Sequence, residues 1–272
     1  MWVTTFKARS PSWVSRGEFG PLVGVPRLLD LLRRHGVPAT FFIPGMTAEQ
    51  YPDAVRAIRD AGHELATHGD IHEGHVNLSP AEERAVLERG IDKLVAVSGI
   101  TPAGFRAPHW ELSEATISII EELGLRYDSS QFASDYTPYR CRRGDSIGLG
   151  VWEPGEPSAV WEIPIAWELD DVPFFLIHPP HFFGTTTPAQ ALEVWTGELD
   201  FMIDDVHNGV FTVAFHPQVI GRGPRIHALQ RLIQHGKDRG AAFATVTQVV
   251  NSLDAHPAGD ERKGSSFEGS NP

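Results

Sequence analysis

His68 and His72 stand four residues apart, directly after a short apolar run at residues 63–67. The run reads as a buried strand, and Gly69 permits a sharp turn just beyond it. Two imidazoles on one turn can bind a single divalent metal through neutral ring nitrogens. With 13 histidines in 272 residues, such a pair is common by chance, and solvated loop histidines are the plain alternative. The pair gains weight only from what surrounds it.

Other groups with chemical potential also follow strand-like runs. Arg106 lies beside Pro108, His109 and Trp110. A guanidinium held in that setting can orient a carboxylate, although an ordinary ion pair would have the same sequence. Trp110 fits a core position or a substrate platform. Trp167, Glu168, Asp170 and Asp171 follow the run at 161–165; they read as a solvated acidic loop or as a pocket edge. His216 closes the apolar run at 210–215. It is either a satisfied core histidine or a general acid.

The elements that must position these residues alternate between strand and helix. Helices are expected at 25–35, 48–61, 80–97, 113–124, 188–207, 224–239 and 246–253, and strands at 39–43, 63–67, 104–106, 125–128, 161–165, 210–215 and 241–245. Ser79-Pro80-Ala81-Glu82 forms a capping box with proline at the first helical position. Strands separated by helices imply parallel pairing with right-handed crossovers. This number of units favours closure, so the expected fold class is α/β, a (β/α) barrel. In such a barrel chemistry gathers at the C-terminal strand ends, where all the groups above fall. The stretch 130–157 reads as a surface excursion. The barrel is expected to span residues 1–255, with a disordered polar tail at 256–272.

Composition narrows the partners. A formal charge of −12 argues against nucleic acid, whose backbone rewards a basic surface. The single cysteine, Cys141, excludes an internal disulfide framework and fits a reducing compartment. The sequence contains neither a secretory signal pattern nor an apolar stretch near the length of a membrane span, so a cytoplasmic protein without membrane contact is expected. A homo-oligomer is compatible with this composition.

Several motifs then occur in order: His68-Gly69-Asp70-Ile71-His72, Phe105-Arg106-Ala107-Pro108-His109-Trp110, Trp161-Glu162-Ile163-Pro164 and Phe215-His216-Pro217-Gln218. Together with the runs at 24–30 and 39–45, they resemble the polysaccharide deacetylases. The likeness is to the branch with peptidoglycan-deacetylase-like and cyclic-imide-hydrolase-like proteins, over roughly residues 17–251. The resemblance implies a distorted (β/α) barrel of the polysaccharide deacetylase type with one divalent metal, often zinc, held by His68 and His72. It implies that Arg106 orients a catalytic aspartate and that His216 protonates the leaving nitrogen. Trp110, Trp167 and Glu168 would bind a small-molecule or sugar amide substrate. The implied reaction is hydrolysis of a non-peptide C–N amide bond, either N-deacetylation or opening of a cyclic amide or imide.

One departure matters. The family opens with a strand ending in two aspartates, a general base and a third metal ligand. If Phe6 takes the family's phenylalanine position, Lys7 and Arg9 stand where those aspartates belong, and no aspartate precedes Asp30. Cations would repel a metal and cannot accept a proton from water at neutral pH. Asp70 or Glu18 could substitute, the gene start could be misassigned, or the first motif could have been replaced by unrelated sequence. Alternatively, the barrel could be a non-catalytic ligand-binding homologue, or a metal-independent enzyme of small-molecule metabolism.

Overall fold

A computed structural model describes residues 7, 9–178, 181, 182, 184 and 186–256. The expected tail from 257 onward and the opening run through Phe6 lie outside them. Helix α1, Pro11–Phe19, was not foreseen; Ser10 caps it by accepting from the Trp13 amide, and Pro11 occupies its first turn. A π-helical turn, Gly20–Gly24, leads into α2, Val25–His35. This helix stops at Gly36, whose left-handed φ of 59° suits glycine.

Strand β1, Thr40–Ile43, precedes α3, Gly45–Gln50, and α4, Pro52–Asp60. The single helix expected at 48–61 is thus two. Pro52 lacks an N–H and disfavours helical geometry at Tyr51, which sits at φ −128° and ψ 57°. Next come β2, Glu64–Thr67, and α5, Pro80–Ser98, the latter opened by the expected Ser79/Glu82 capping box. Then follow β3, Gly104–Phe105, α6, Thr116–Glu122, and β4, Tyr127–Asp128. The excursion carries β5, Tyr139–Arg143, β6, Ser146–Gly148, and β7, Val151–Glu153. Strand β8, Glu156–Glu162, begins before the expected residue 161, because β5 gives its first half an antiparallel partner. The remainder comprises α7, Val172–Phe175, β9, Ile177–His178, β10, His181–Phe182, α8, Pro188–Asp205, α9, Pro217–Ile220, α10, Arg225–Asp238, and α11, Val246–Ala255.

The main sheet runs β1-β2-β3-β4-β8-β5. Its first five strands are parallel, with Thr40 opposite Glu64, Thr67 opposite Phe105 and Asp128 opposite Glu162. The fold is a distorted (β/α) barrel, as the alternation of elements implies. It departs from expectation at 210–215 and 241–245. Among the described residues the first makes one parallel bridge, Ala214 to Asp170, and the second joins no ladder. Strand propensity is present in both segments, but a ladder also requires a neighbour with matching backbone groups. The largest apolar cluster packs α2, α8 and α10 together through Leu31, Trp195 and Leu232.

Candidate functional site

The loop after β2 is anchored from beneath. Gly69 has φ 72° and its carbonyl accepts from the Gly45 amide. Gly90 of α5 passes so close that a Cβ there would lie 2.3 Å from the Gly69 oxygen. Asp70 turns away from the histidines: its carboxylate accepts from Lys93 at 2.9 Å and from Arg89 at 3.2 Å. It therefore does not stand in for the missing carboxylate. Glu73 accepts from the Ile71 amide at 2.7 Å. Farther along, fully buried His75 and Glu83 meet at 2.9 Å, and Ser113 and Thr116 also donate to Glu83.

On this base His68 and His72 stand edge to face, ring centres 4.9 Å apart. The Nδ1–H of His68 donates to the Arg106 carbonyl at 2.6 Å. A carbonyl only accepts, so this bond fixes the tautomer and leaves Nε2 as the open lone pair. Burial lowers the His68 pKa to about 3 and holds that of His72 well below its ordinary value. Both rings are neutral at neutral pH, as metal ligands must be. His109 lies against His72, centres again 4.9 Å apart. His72, His109 and Trp110 have φ of 64°, 61° and 57°. Left-handed backbone at residues with side chains costs of order 1–3 kcal/mol each. The strain is concentrated at this mouth.

Arg106 is buried at the end of β3. Its Nε donates to the Ser129 carbonyl at 2.8 Å and an Nη to the Ser129 hydroxyl at 2.7 Å. Its guanidinium lies 4.2 Å from the Phe42 ring centre. Burial lowers its pKa to about 10, opposed by Tyr127, Asp170, Asp128 and Glu162, so it remains charged. Asp128 and Glu162 form a buried carboxyl pair below it. Burial raises both pKa values, and the Glu162 value is also raised by Asp128, so the pair retains a proton.

Asp170 and Asp171 are buried, which overturns the solvated-loop alternative for them. The Ala214 bridge brings Asp171 beside His216. The His216 backbone N–H and Nδ1–H both donate to Asp171, the latter at 2.8 Å, while Asp170 lies 3.6 Å from Nδ1. Burial would lower the His216 pKa, but the two carboxylates outweigh it and raise it to about 9. Burial raises both aspartates in turn, with Asp171 at about 6.

A cavity of about 1520 Å³ connects these groups, lined at its mouth by His68, His72, Arg106, Trp110, Trp167 and His216. Trp110 and Trp167 stack with centres 4.2 Å apart, and Phe132 lies 6.0 Å from Trp110. Trp167 and Phe132 are 45% and 49% exposed. Glu168 is exposed and does not line the cavity.

The whole chain can be compared with known proteins on this geometry. It is 32% identical over 258 residues to the peptidoglycan deacetylase of Helicobacter pylori, covering 90% of this chain and 88% of that protein. This chain belongs to the polysaccharide deacetylase family. The family's sequence profile, polysaccharide deacetylase, matches residues 18–127. The crystal structure of a polysaccharide deacetylase from Mycobacterium smegmatis, assigned as such provisionally, superposes with TM-score 0.82 at 38% identity, covering 94% of this chain and 86% of that one. An allantoinase superposes with TM-score 0.78 at 26% identity, covering 92% and 79%. The family's chemistry is hydrolysis of C–N amide bonds, and its members are generally metal-dependent. Among the described residues, no helix is long and apolar enough to cross a membrane.

The donor set was tested against zinc. His68 and His72 present the right atoms, but Asp70 is engaged elsewhere and Glu73 caps its own loop. Among the described residues, the side chains that bring three ligand atoms together are Asp170, Asp171 and His216, not the histidine pair. Two imidazoles without a third protein ligand do not make a zinc site. The metal the family implies does not fit the described residues. Sequence reasoning missed the Asp171 clamp and the Asp128–Glu162 pair. The only signal for either was a carboxylate at or just past a strand end.

Proposed function

We propose that the mouth is the acid half of an amidohydrolase site, with His216 as the general acid. The observation that carries this reading is the double hold of Asp171 on His216. It fixes the ring through Nδ1, leaves Nε2 as the other edge and keeps the imidazole protonated at neutral pH. An amide nitrogen leaves poorly unless protonated as the C–N bond breaks. Water would add to the carbonyl carbon, His216 would donate its proton to the departing nitrogen, and an amine and a carboxylic acid would result.

Arg106 remains charged at the cavity wall and suits a carboxylate brought beside it. The exposed ring faces of Trp167 and Phe132, with Trp110 behind them, suit the flat face of a sugar. An N-acetylated sugar is therefore the proposed substrate, as the name of the Helicobacter relative suggests. The allantoinase likeness favours a small cyclic amide as the second reading.

The assay is turnover of N-acetylglucosamine oligomers and of cyclic imides by the parent and by His216→Ala. Replacing the acid should lower the rate by about 10² to 10⁴. Equal turnover in the two would remove His216 from the role. No turnover of either class by the parent would leave a ligand-binding homologue.

A further inference from the structure

Four arginines gather away from the cavity. Arg16 is on α1, Arg27 on α2, Arg222 just past α9 and Arg225 at the start of α10. None of them lines the cavity that opens at the mouth. Phe19 organises the group: the Arg222 guanidinium lies 3.8 Å from its ring centre and that of Arg27 lies 5.7 Å from it. An Nη of Arg222 also donates to the Arg16 carbonyl at 3.5 Å. The Arg225 guanidinium lies 4.9 Å from the Phe175 ring centre. Arg27 is exposed and the other three are half-buried, so solvent reaches the group from one side.

Carboxylates are plentiful in this chain, with 35 aspartates and glutamates against 23 lysines and arginines. Elsewhere they pair with arginines: Asp30 takes Arg33 and Arg34, Asp254 takes Arg126 and Arg140, and Asp145 takes Arg142. Arg27, Arg222 and Arg225 instead donate to the carbonyls of Gly221 at 2.9 Å, Gln218 at 3.0 Å and Val219 at 3.2 Å. Among the described residues these three form no ion pair with a carboxylate. The acid whose charge Arg225 feels is Asp171, which is fully buried and committed to His216. Carbonyls satisfy N–H groups but cancel no charge. Burial lowers the pKa of Arg16, Arg222 and Arg225, and repulsion from neighbouring arginines lowers it further. A guanidinium nevertheless stays charged at neutral pH, so the repulsion persists until an anion relieves it.

We propose that Arg27, Arg222 and Arg225, flanked by Arg16, form a binding site for a phosphate group, separate from the mouth. Planar guanidinium forks match the oxygens of a phosphate, and each fork here keeps N–H groups beyond the one or two given to carbonyls. A phosphate dianion offsets more of the clustered charge than a carboxylate, which brings one charge and two oxygens. The group can come as the free ion or as a phosphate monoester, since both present the same oxygens. The inference concerns binding alone and stands whether or not the mouth turns over an amide.

The test is calorimetric titration of the full chain at neutral pH and fixed ionic strength with inorganic phosphate, glucose 6-phosphate and acetate. At least one of the two phosphates should bind, about tenfold or more tightly than acetate. Tighter binding of inorganic phosphate assigns the site to the free ion, and tighter binding of the ester assigns it to a phosphorylated ligand. An Arg222→Gln, Arg225→Gln double variant should weaken that binding by about tenfold or more. An Arg142→Gln, Arg143→Gln variant loses the same charge from exposed, ion-paired positions and should stay within about twofold of the parent. His216→Ala should also stay within about twofold, because screening isolates the mouth from the cluster. A second readout needs no glutamine variant to fold. In the parent, phosphate should shift the arginine Nε–H resonances of Arg222 and Arg225, assigned through Arg222→Lys and Arg225→Lys. The proposal is overturned if the parent binds neither phosphate, if acetate binds as tightly, or if neither resonance moves. Loss of phosphate binding in His216→Ala equal to that in the arginine double variant overturns it too, by placing the anion at the mouth.

Discussion

The two sides of the mouth are built to different degrees of completion. On one side, Asp171 clamps His216 through both its backbone and its ring, and Asp170 reinforces the charge. The His216 backbone N–H and Nδ1–H are both partnered, and the flanking carboxylates keep the ring protonated. On the other side, His68 and His72 are neutral, yet among the described residues no carboxylate joins them in a three-ligand set. The difference follows the backbone beneath. The loop of His68 is anchored by α5, whereas Asp171 reaches His216 across the backbone bridge between Asp170 and Ala214. Orienting a side chain and supplying its charged partner are therefore separable: local loop chemistry achieves the first, while the second depends on segments distant in sequence.

The comparison can be broken in four places, from the largest expected effect to the smallest. The His216→Ala loss of about 10² to 10⁴ in rate comes first, because it removes the proposed general acid. Next is the foundation of the histidine loop. His75→Ala removes one of three donors to a fully buried carboxylate, and such losses cost about 1–3 kcal/mol. Denaturant melts should show this loss, and a midpoint within error of the parent would mean that the pair anchors nothing.

The third concerns pH. Asp171→Asn removes a carboxylate from His216, so its pKa must fall from about 9. Because the folded pKa is raised, the stability this pairing contributes is fully present below about pH 6.5 and lost as pH rises through about 9. Melting temperature should therefore decline between neutral pH and pH 9.5 in the parent and less so in Asp171→Asn. Imidazole NMR resonances read the same shift directly, and identical titrations would separate Asp171 from His216. The smallest effect is on zinc. The parent alone should bind it weakly, and a His68→Ala, His72→Ala double variant should bind it less. Superimposable isotherms would mean that the pair is no metal site even in part.

Much of this was legible before folding. The capping box at Ser79, the glycine stop at Gly36 and the alternation of strand and helix are local signals, and each holds in the structure. So does the gathering of His68, Arg106, Trp110 and His216 at one mouth, since parallel strands carry their C-terminal ends to one side, whereas Glu168, expected with them, is exposed and outside the cavity. The break at Tyr51 was equally local and was overlooked, although Pro52 announces it.

What the sequence determined by itself was the order of elements, the family and the residue types at the strand ends, because periodicity, caps and motif spacing are properties of the chain. Only the tertiary structure decided which carboxylates count. Asp70 faces Lys93 and Arg89, whereas Asp171 faces His216, and nothing in the local sequence distinguishes these fates. The same holds for 210–215 and 241–245. Their residues favour strands, yet among the described residues the first makes one bridge and the second joins no ladder; pairing requires another backbone about 4.7–4.9 Å away, a condition set by the rest of the fold.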